Sequence, residues 1–587
     1  MTPSRRQFLG AIPAALAAQT PARGRLDRRA IVSRNNPALR AFDPRSPLSV
    51  GNGEFCFTAD CTGLQTFPQL YEKALPLNTL SQRGWETSPG RPAGELRLAE
   101  YDTFGRKVGY PTSSMGQAAL FNWLRENPHR LNLGRVGFAI ESPEDVRGIR
   151  QTLDLWTGIL HSEFEWKGRQ VRVETCCHPT LDKIAFRVQG AEIPIVAVGQ
   201  PFTLPDPEVA FRASAERWER FWTAGAAIEL AASPELERRV VLSQYLTAIQ
   251  CAGSLPPQET GLTCNSWFGK FHLEMHFWHA AHFAHWGRGK LLERSLDWYK
   301  HILPSAREKA RSQGYAGARW PKMVDPSGTD SPSPIGPLLI WQQPHPIILC
   351  ELTVGRTARA AEFRELVFDT AEFMADFAHY DAKADRYVLG PPVIPAQENH
   401  PPRETWNPTF ELEYWDYGLE VAQQWRLRAG LARNLKWDDV RNKLSALPAR
   451  EGVYLAHENC PQTFTERNRD HPSMLGALGV LPGRKVVRET MRRTLLKVFA
   501  EWKWEDTWGW DFPMVAMTAA SLGEQELAIR ALLMDTPKNT WLPDGHNWQR
   551  DNLPCYLPGN GGLLLAMAHM VRTQAFPREW NVRCEGF

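Results

Sequence analysis

Apolar and polar positions alternate with a period of two over residues 30–225, and from about residue 230 the period lengthens to 3.6. The first pattern predicts strands. Phe164-Glu165-Trp166 alternates, Lys167-Gly168 supplies a tight turn, and Val171-Arg172-Val173-Glu174-Thr175 alternates again, which is the signature of a hairpin. Lys183–Val188 reads as the next strand. Several short strands with Gly and Pro punctuation suggest a sandwich. The second pattern predicts twelve helical stretches, beginning near residues 236, 273, 289, 336, 358, 408, 434, 470, 485, 511, 524 and 561. Twelve helices in one block are what six α-hairpins closed into a ring require. A superhelical array is the alternative, but no period of 30–45 residues recurs. The loops between the helices are rich in Trp, Pro, Gly, His and Asp, and such loops on a rigid scaffold are where function usually sits.

Composition narrows the class. The chain has 587 residues, 43% apolar and 23% charged, so more than one ordinary globular domain is expected. A net charge of +3 with no basic block argues against nucleic acid as a partner. Twenty-three tryptophans suit both core packing and stacking on the C–H faces of sugars. The ten cysteines show no CxxC pair or zinc-type spacing, which leaves buried thiols and room for a few bridges. Ser4-Arg5-Arg6-Gln7-Phe8-Leu9, then an apolar run to Ala17, resembles a twin-arginine export signal cleaved near Ala17 or Ala18. The expected location is periplasmic or secreted. No later segment has 18 consecutive apolar residues, so no membrane span is expected in the mature protein.

Five segments carry a family resemblance. Ser49–Phe55 is similar to an early Gly-Asn-Gly strand, and Leu153-Asp154-Leu155-Trp156-Thr157-Gly158 to a sandwich signature. Leu273-Glu274-Met275-His276-Phe277-Trp278 resembles a Thr-Glu-Met-Asn-Tyr-Trp helix. Arg307–Ala310 with Gly314-Tyr315 and Gly317–Pro321 looks like the stretch after a second barrel helix, and Gly559-Asn560-Gly561-Gly562 like the opening of the last one. In this order they resemble the six-hairpin glycosidases, above all glycoside hydrolase families 65 and 95. The resemblance implies an N-terminal β-sandwich domain (31–230) after the signal and linker (1–30), and an all-α (α/α)6 barrel (231–587) carrying the active site. It implies a glycoside hydrolase acting on an oligo- or polysaccharide, inverting, with no cofactor and no assigned metal.

Such hydrolysis needs two carboxyl groups across the scissile bond. Glu398, in the proline-framed loop Leu389–Asn399, resembles the general acid of family 95 and falls where family 65 places its own. The base departs from the pattern. Pro558 stands where family 95 has its Asp, about Asn552 where it has an upstream His, and no Ser/Thr-rich phosphate loop precedes Gly559. Asp511, near a helix N-terminus, is the first substitute, with a plain N-cap as its other reading. Asp551, Asp506 and Glu411 follow. Trp320, Lys322, Trp341, Gln342, Gln343, His345, Trp406, Asn407 and Asn560 offer rings and amides to a sugar, and Lys270 and His272 complete the set. Two chemistries stay open beside hydrolysis. His272, His276 and His279 share one helical stripe that would suit a metal, and Lys322, Lys270 and His345 would serve a uronate lyase. A non-catalytic carbohydrate-binding protein is the third option.

Overall fold

The computed structural model describes residues 25–199 and 204–587; the twin-arginine-type segment lies outside the described residues. The N-terminal part is antiparallel. A five-stranded sheet runs in the order 38–39, 146–154, 159–166, 169–177, 184–189, and a three-stranded sheet holds 48–51, 55–59 and 79–81. The expected hairpin forms in register, Phe164 opposite Val171 and Trp166 opposite Arg169. Its turn residues Lys167 and Gly168 take φ of 48° and 73°, the mirror-image turn that suits a twisted hairpin. In the Gly51-Asn52-Gly53 motif, Asn52 Oδ1 accepts from the amides of Glu54 and Phe55, and Gly53 takes φ 97°. The two sheets bury Val50, Phe57, Leu160, Phe164 and Val173 in one core.

Fifteen helices are described: α1 (Arg28–Ser33), α2 (Ala118–Glu126), α3 (Pro207–Thr223), α4 (Pro234–Gln250), α5 (Leu273–His285), α6 (Gly289–His301), α7 (Leu303–Ser312), α8 (His345–Thr353), α9 (Arg364–Phe377), α10 (Thr409–Arg428), α11 (Leu435–Lys443), α12 (Arg488–Glu501), α13 (Asp511–Leu522), α14 (Gln525–Leu532) and α15 (Leu557–Arg572). The predicted stretch near 470 is only a 3-10 segment, Ser473–Ala477, and the one near 336 becomes a helix only at His345. Pro344 and Pro346 explain the second delay, since proline fits the first turn of a helix but not its interior.

The helices divide by burial. The first ten residues of α13 are all buried, as is α15 from Leu557 to Ala568, whereas α12 buries only Met491, Thr494, Leu495 and Val498. A helix apolar on all sides lies inside; one with a single apolar stripe lies outside. Packing follows the same division. Helix α5 packs on α8, α8 on α10, α10 on Ser473–Ala477, that segment on α13, α13 on α15, and α15 back on α5. Helices α6, α9, α11, α12 and α14 pack against this circuit from outside, and α4 joins α15 to the sandwich core through Val241, Tyr245 and Leu246. The α5–α15 approach needs glycine, because a Cβ on Gly561 would lie 1.9 Å from the Trp278 carbonyl oxygen. Among the described residues no helix is long and apolar enough to cross a membrane.

Candidate functional site

The loops leading into the inner segments meet around a cavity of about 430 Å³, a size typical of small-ligand sites. Glu259, Trp267 and His272 come from the chain before α5, and Glu274 from its first turn. Lys322 follows α7, and Glu398 sits on the loop before α10. His471 precedes Ser473–Ala477, Trp508 precedes α13, and Arg550 and Tyr556 precede α15. Arg125, at the end of α2, adds a wall from the N-terminal part.

Three carboxyl groups and one ammonium set the electrostatics. Lys322 Nζ lies 2.8 Å from Glu274 Oε1 and also contacts Glu398 Oε1. The second oxygen of Glu274 accepts from the Trp341 indole at 3.2 Å. Burial lifts Glu274 to about 7 against the pull of Lys322, and burial likewise raises Glu259. Glu259 Oε2 accepts from the Trp267 indole at 3.0 Å and stands 3.9 Å from His272 Nε2. Neither ring nitrogen of His272 has a hydrogen-bond partner among the described residues, and burial then Lys322 hold this imidazole neutral. His471 is the opposite case. Burial pulls it down, but Asp511 at 2.8 Å and Asp470 at 3.4 Å prevail and lift it to about 9. Its ring stacks on Trp510 at 4.2 Å.

The Glu398 loop is held from several sides. The Glu398 amide donates to Asp470 Oδ2 at 3.1 Å, and Gln397 Nε2 donates to the carbonyls of Arg467 and Arg469. Asp470 takes φ 62°, an uncommon conformation for a side-chain-bearing residue. Trp267 and Phe268 take φ of 48° and 62° at the cavity edge; left-handed non-glycine residues cost of order 1–3 kcal/mol each and cluster at functional sites.

Of the residues singled out by sequence, Glu398, Lys322 and His272 line the cavity. Asp511 does not. It is fully buried, its Oδ1 facing His471 and its Oδ2 accepting from the Trp508 amide at 2.9 Å, so it touches the site only through the imidazole. Glu411 is buried against the Ala396 amide, and Asp506 and Asp551 are exposed and off the lining. Trp320 donates to Thr370, Gln342 to the Trp320 and Leu339 carbonyls, and Gln343 to Ala318. Trp341 is buried, and His345 is held between Tyr414 and the Glu274 carbonyl. Asn407 bridges Leu389 and Glu458, Trp406 packs on Phe104, and Asn560 donates to Ser243 and Gly545. Lys270 donates to the Asn127 carbonyl. These eight and Lys270 are bound to protein groups and do not line the cavity, which also takes Lys270 and His345 out of a lyase arrangement.

The histidine stripe does not converge either. His276 is held by Tyr299 and Ser295, and His279 by the Glu259 carbonyl. The cluster with metal-ligand spacing among the described residues is His400, His457 and Cys460. There the Asn459 amide donates to His457 Nδ1, which puts that proton on Nε2, facing His400 Nδ1; His400 Nε2 in turn faces Gln397 Oε1. The two rings form a complete hydrogen-bond chain ending beside Glu398. The nine cysteines other than exposed Cys584 are buried, and all ten are free thiols. Sequence reading missed Glu259, Glu274, Asp470, His471, Arg125 and Arg550. Only Glu274 carried a signal, inside the Leu273–Trp278 motif.

Over 92% of its length the chain is similar to the solved structure of a "Putative kojibiose phosphorylase from human microbiome", with TM-score 0.59 and 10% identity, covering 88% of that chain. The likeness is one of fold. Ten per cent identity speaks to the fold alone, and the chemistry of this chain rests on its own site. Looser likenesses are a glycosidase variant (TM-score 0.43, 15% identity, 59% of this chain and 99% of that) and a bacterial glucoamylase complexed with acarbose (TM-score 0.42, 11% identity, 77% of each). No family model and no curated protein matches.

Proposed function

We propose that this protein is an exported enzyme that hydrolyses glycosidic bonds, with Glu259 and Glu398 as its acid/base pair. The supporting observation is the convergence of Glu259, Glu274 and Glu398 on one tryptophan-edged cavity with a single ammonium among them. The scaffold is read as an (α/α)6 barrel over 231–587 behind a β-sandwich over 31–230, with the circuit of inner helices in its favour.

Contact with Lys322 holds the Glu398 carboxyl in place, and burial favours the protonated form of Glu259. Glu259 is accordingly assigned the proton donor's part, and Glu398 that of the carboxylate that activates water. Had Glu398 been the donor, its Lys322 contact would have to open when substrate binds. Glu274 is held on both oxygens and serves as the counter-charge that fixes Lys322. His471, kept cationic by Asp511, offers a donor to sugar hydroxyls.

The test is a screen of nitrophenyl glycosides and natural oligosaccharides, with and without phosphate, against wild type, Glu259→Gln and Glu398→Gln. Each variant should fold normally and lose roughly 10²-fold or more in turnover. A nitrophenol leaving group needs no proton, so it should relieve the loss only in Glu259→Gln. Relief only in Glu398→Gln would exchange the roles, and near-normal turnover in both would end the hydrolase reading. A strict phosphate requirement would instead mark a phosphorylase. The anomer released first, followed by proton NMR, tests inversion. N-terminal sequencing of the exported protein tests cleavage near Ala17 or Ala18.

A further inference from the structure

Beyond the carboxylate pit lies a second, wider cavity of about 660 Å³. Arg125, Trp267 and Arg550 line both, so the two spaces share a wall. Two features of that wall reach beyond the acid/base pair.

The first is a pair of unspent cations. Neither the Arg125 nor the Arg550 guanidinium has a hydrogen bond or an ion pair to any described residue. Arg550 stands 5.3 Å over the Trp508 ring and Arg125 5.9 Å over Phe121. Although three carboxylates lie close by, neither arginine bonds to one; Arg550 acts on Glu259 only through space. The buried Arg130 on the same wall is a contrast, since the Ser81 carbonyl and Gln82 occupy its guanidinium. The second feature is the left-handed Trp267-Phe268 step. It holds two large rings 39% and 42% exposed at the cavity edge, with the Trp267 indole tied to Glu259. An exposed aromatic shelf, strained and anchored to a site carboxylate, is placed to stack a sugar ring.

We infer that the outer cavity is a second sugar subsite, built for a unit bearing a carboxylate, so that the substrate is an acidic oligosaccharide of at least two units. The ring rests on Trp267 and Phe268, and Arg125 and Arg550 take the carboxylate. A guanidinium fork matches the two oxygens of a carboxylate. This rests on the carbohydrate reading above, but binding can be measured apart from turnover.

Isothermal titration of the Glu398→Gln variant should use oligosaccharides ending in glucuronate or galacturonate, each paired with its carboxyl-reduced counterpart. At least one acidic member should bind about tenfold or more tightly than its neutral partner, the increment of one charge-assisted contact. Adding Arg125→Gln and Arg550→Gln together should bring the two members within about twofold, and adding Trp267→Ala should weaken both alike. Equal affinity of every pair, a carboxylate preference that survives loss of both arginines, or no binding of any member would overturn the inference. So would inorganic phosphate binding through the same arginines without displacing the acidic sugar. Unimpaired turnover by Glu398→Gln would remove the proposed catalytic pair and leave these affinities readable.

Discussion

Replacing Lys322 by Met removes the one ammonium that both Glu274 and Glu398 touch. Deleting one partner of a buried ion pair costs about 3–5 kcal/mol, because a buried charge is left without compensation. Glu274 can discharge itself by taking a proton, since burial already holds it near 7, so the cost near neutral pH should fall at the lower end, about 3 kcal/mol. With an unfolding entropy of about 2 cal/mol/K per residue over a cooperative unit of roughly 350 residues, that lowers Tm by about 4 °C. The pH dependence is more diagnostic. A raised carboxyl pKa gives stability that is present below the unfolded value and lost as pH climbs to the folded one. In the wild type Glu274 therefore loses stability between its ordinary 4.5 and about 7, and nothing further above. Without Lys322 the folded pKa climbs, and the loss continues past 7 at about 1.4 kcal/mol per pH unit. Between about pH 6 and 8.5 the variant should lose about 2 kcal/mol more than the wild type. Scanning calorimetry at both pH values reads this, with the Lys322→Met/Glu274→Gln pair as control, in which the extra pH dependence should vanish. A Tm drop under about 1 °C at both values, or one that does not grow with pH, would refute the charge assignment.

Three further outcomes follow from particular contacts. Because Asp511 is the leading partner that lifts His471 to about 9, Asp511→Asn should move its titration, followed by NMR, downward; an unmoved value would dissolve the dyad. The pair's stability is full below 6.5 and is lost as pH rises through about 9, so the variant's Tm deficit should be largest in acid and shrink toward pH 9. Trp320→Phe removes the hydrogen bond to Thr370 and leaves a small cavity in the core, so it should cost about 2–4 kcal/mol in thermal melts and leave KM within about twofold; a large rise in KM would put this ring back in contact with substrate. Gly561→Ala drives a methyl group into the Trp278 carbonyl and should cost more than about 2 kcal/mol, read as Tm, whereas a neutral result would mean that α5 and α15 part easily.

Much of the architecture was legible in the sequence because it rests on short-range physics. Side-chain period distinguished strand from helix, Lys167-Gly168 fixed a hairpin register, and helices such as α15 announced burial by being apolar on every face. That Glu398 sits on an ordered loop was legible too, since prolines and a neighbouring Gln-Glu-Asn marked it. What composition could not decide was which polar groups face substrate and which face protein. Trp341, Gln343, His345 and Asn560 have the residue types of a sugar site, yet each meets a protein partner far along the chain or in a neighbouring turn. The reverse holds for Glu259 and His471. They sit in unremarkable loops more than 200 residues apart and meet only because the ring brings the entrances of α5 and Ser473–Ala477 to one end. Local sequence sets the period and the turns; the closure of the ring, a sum of long-range contacts, sets which charges are neighbours, and at this site the chemistry depends on those neighbours.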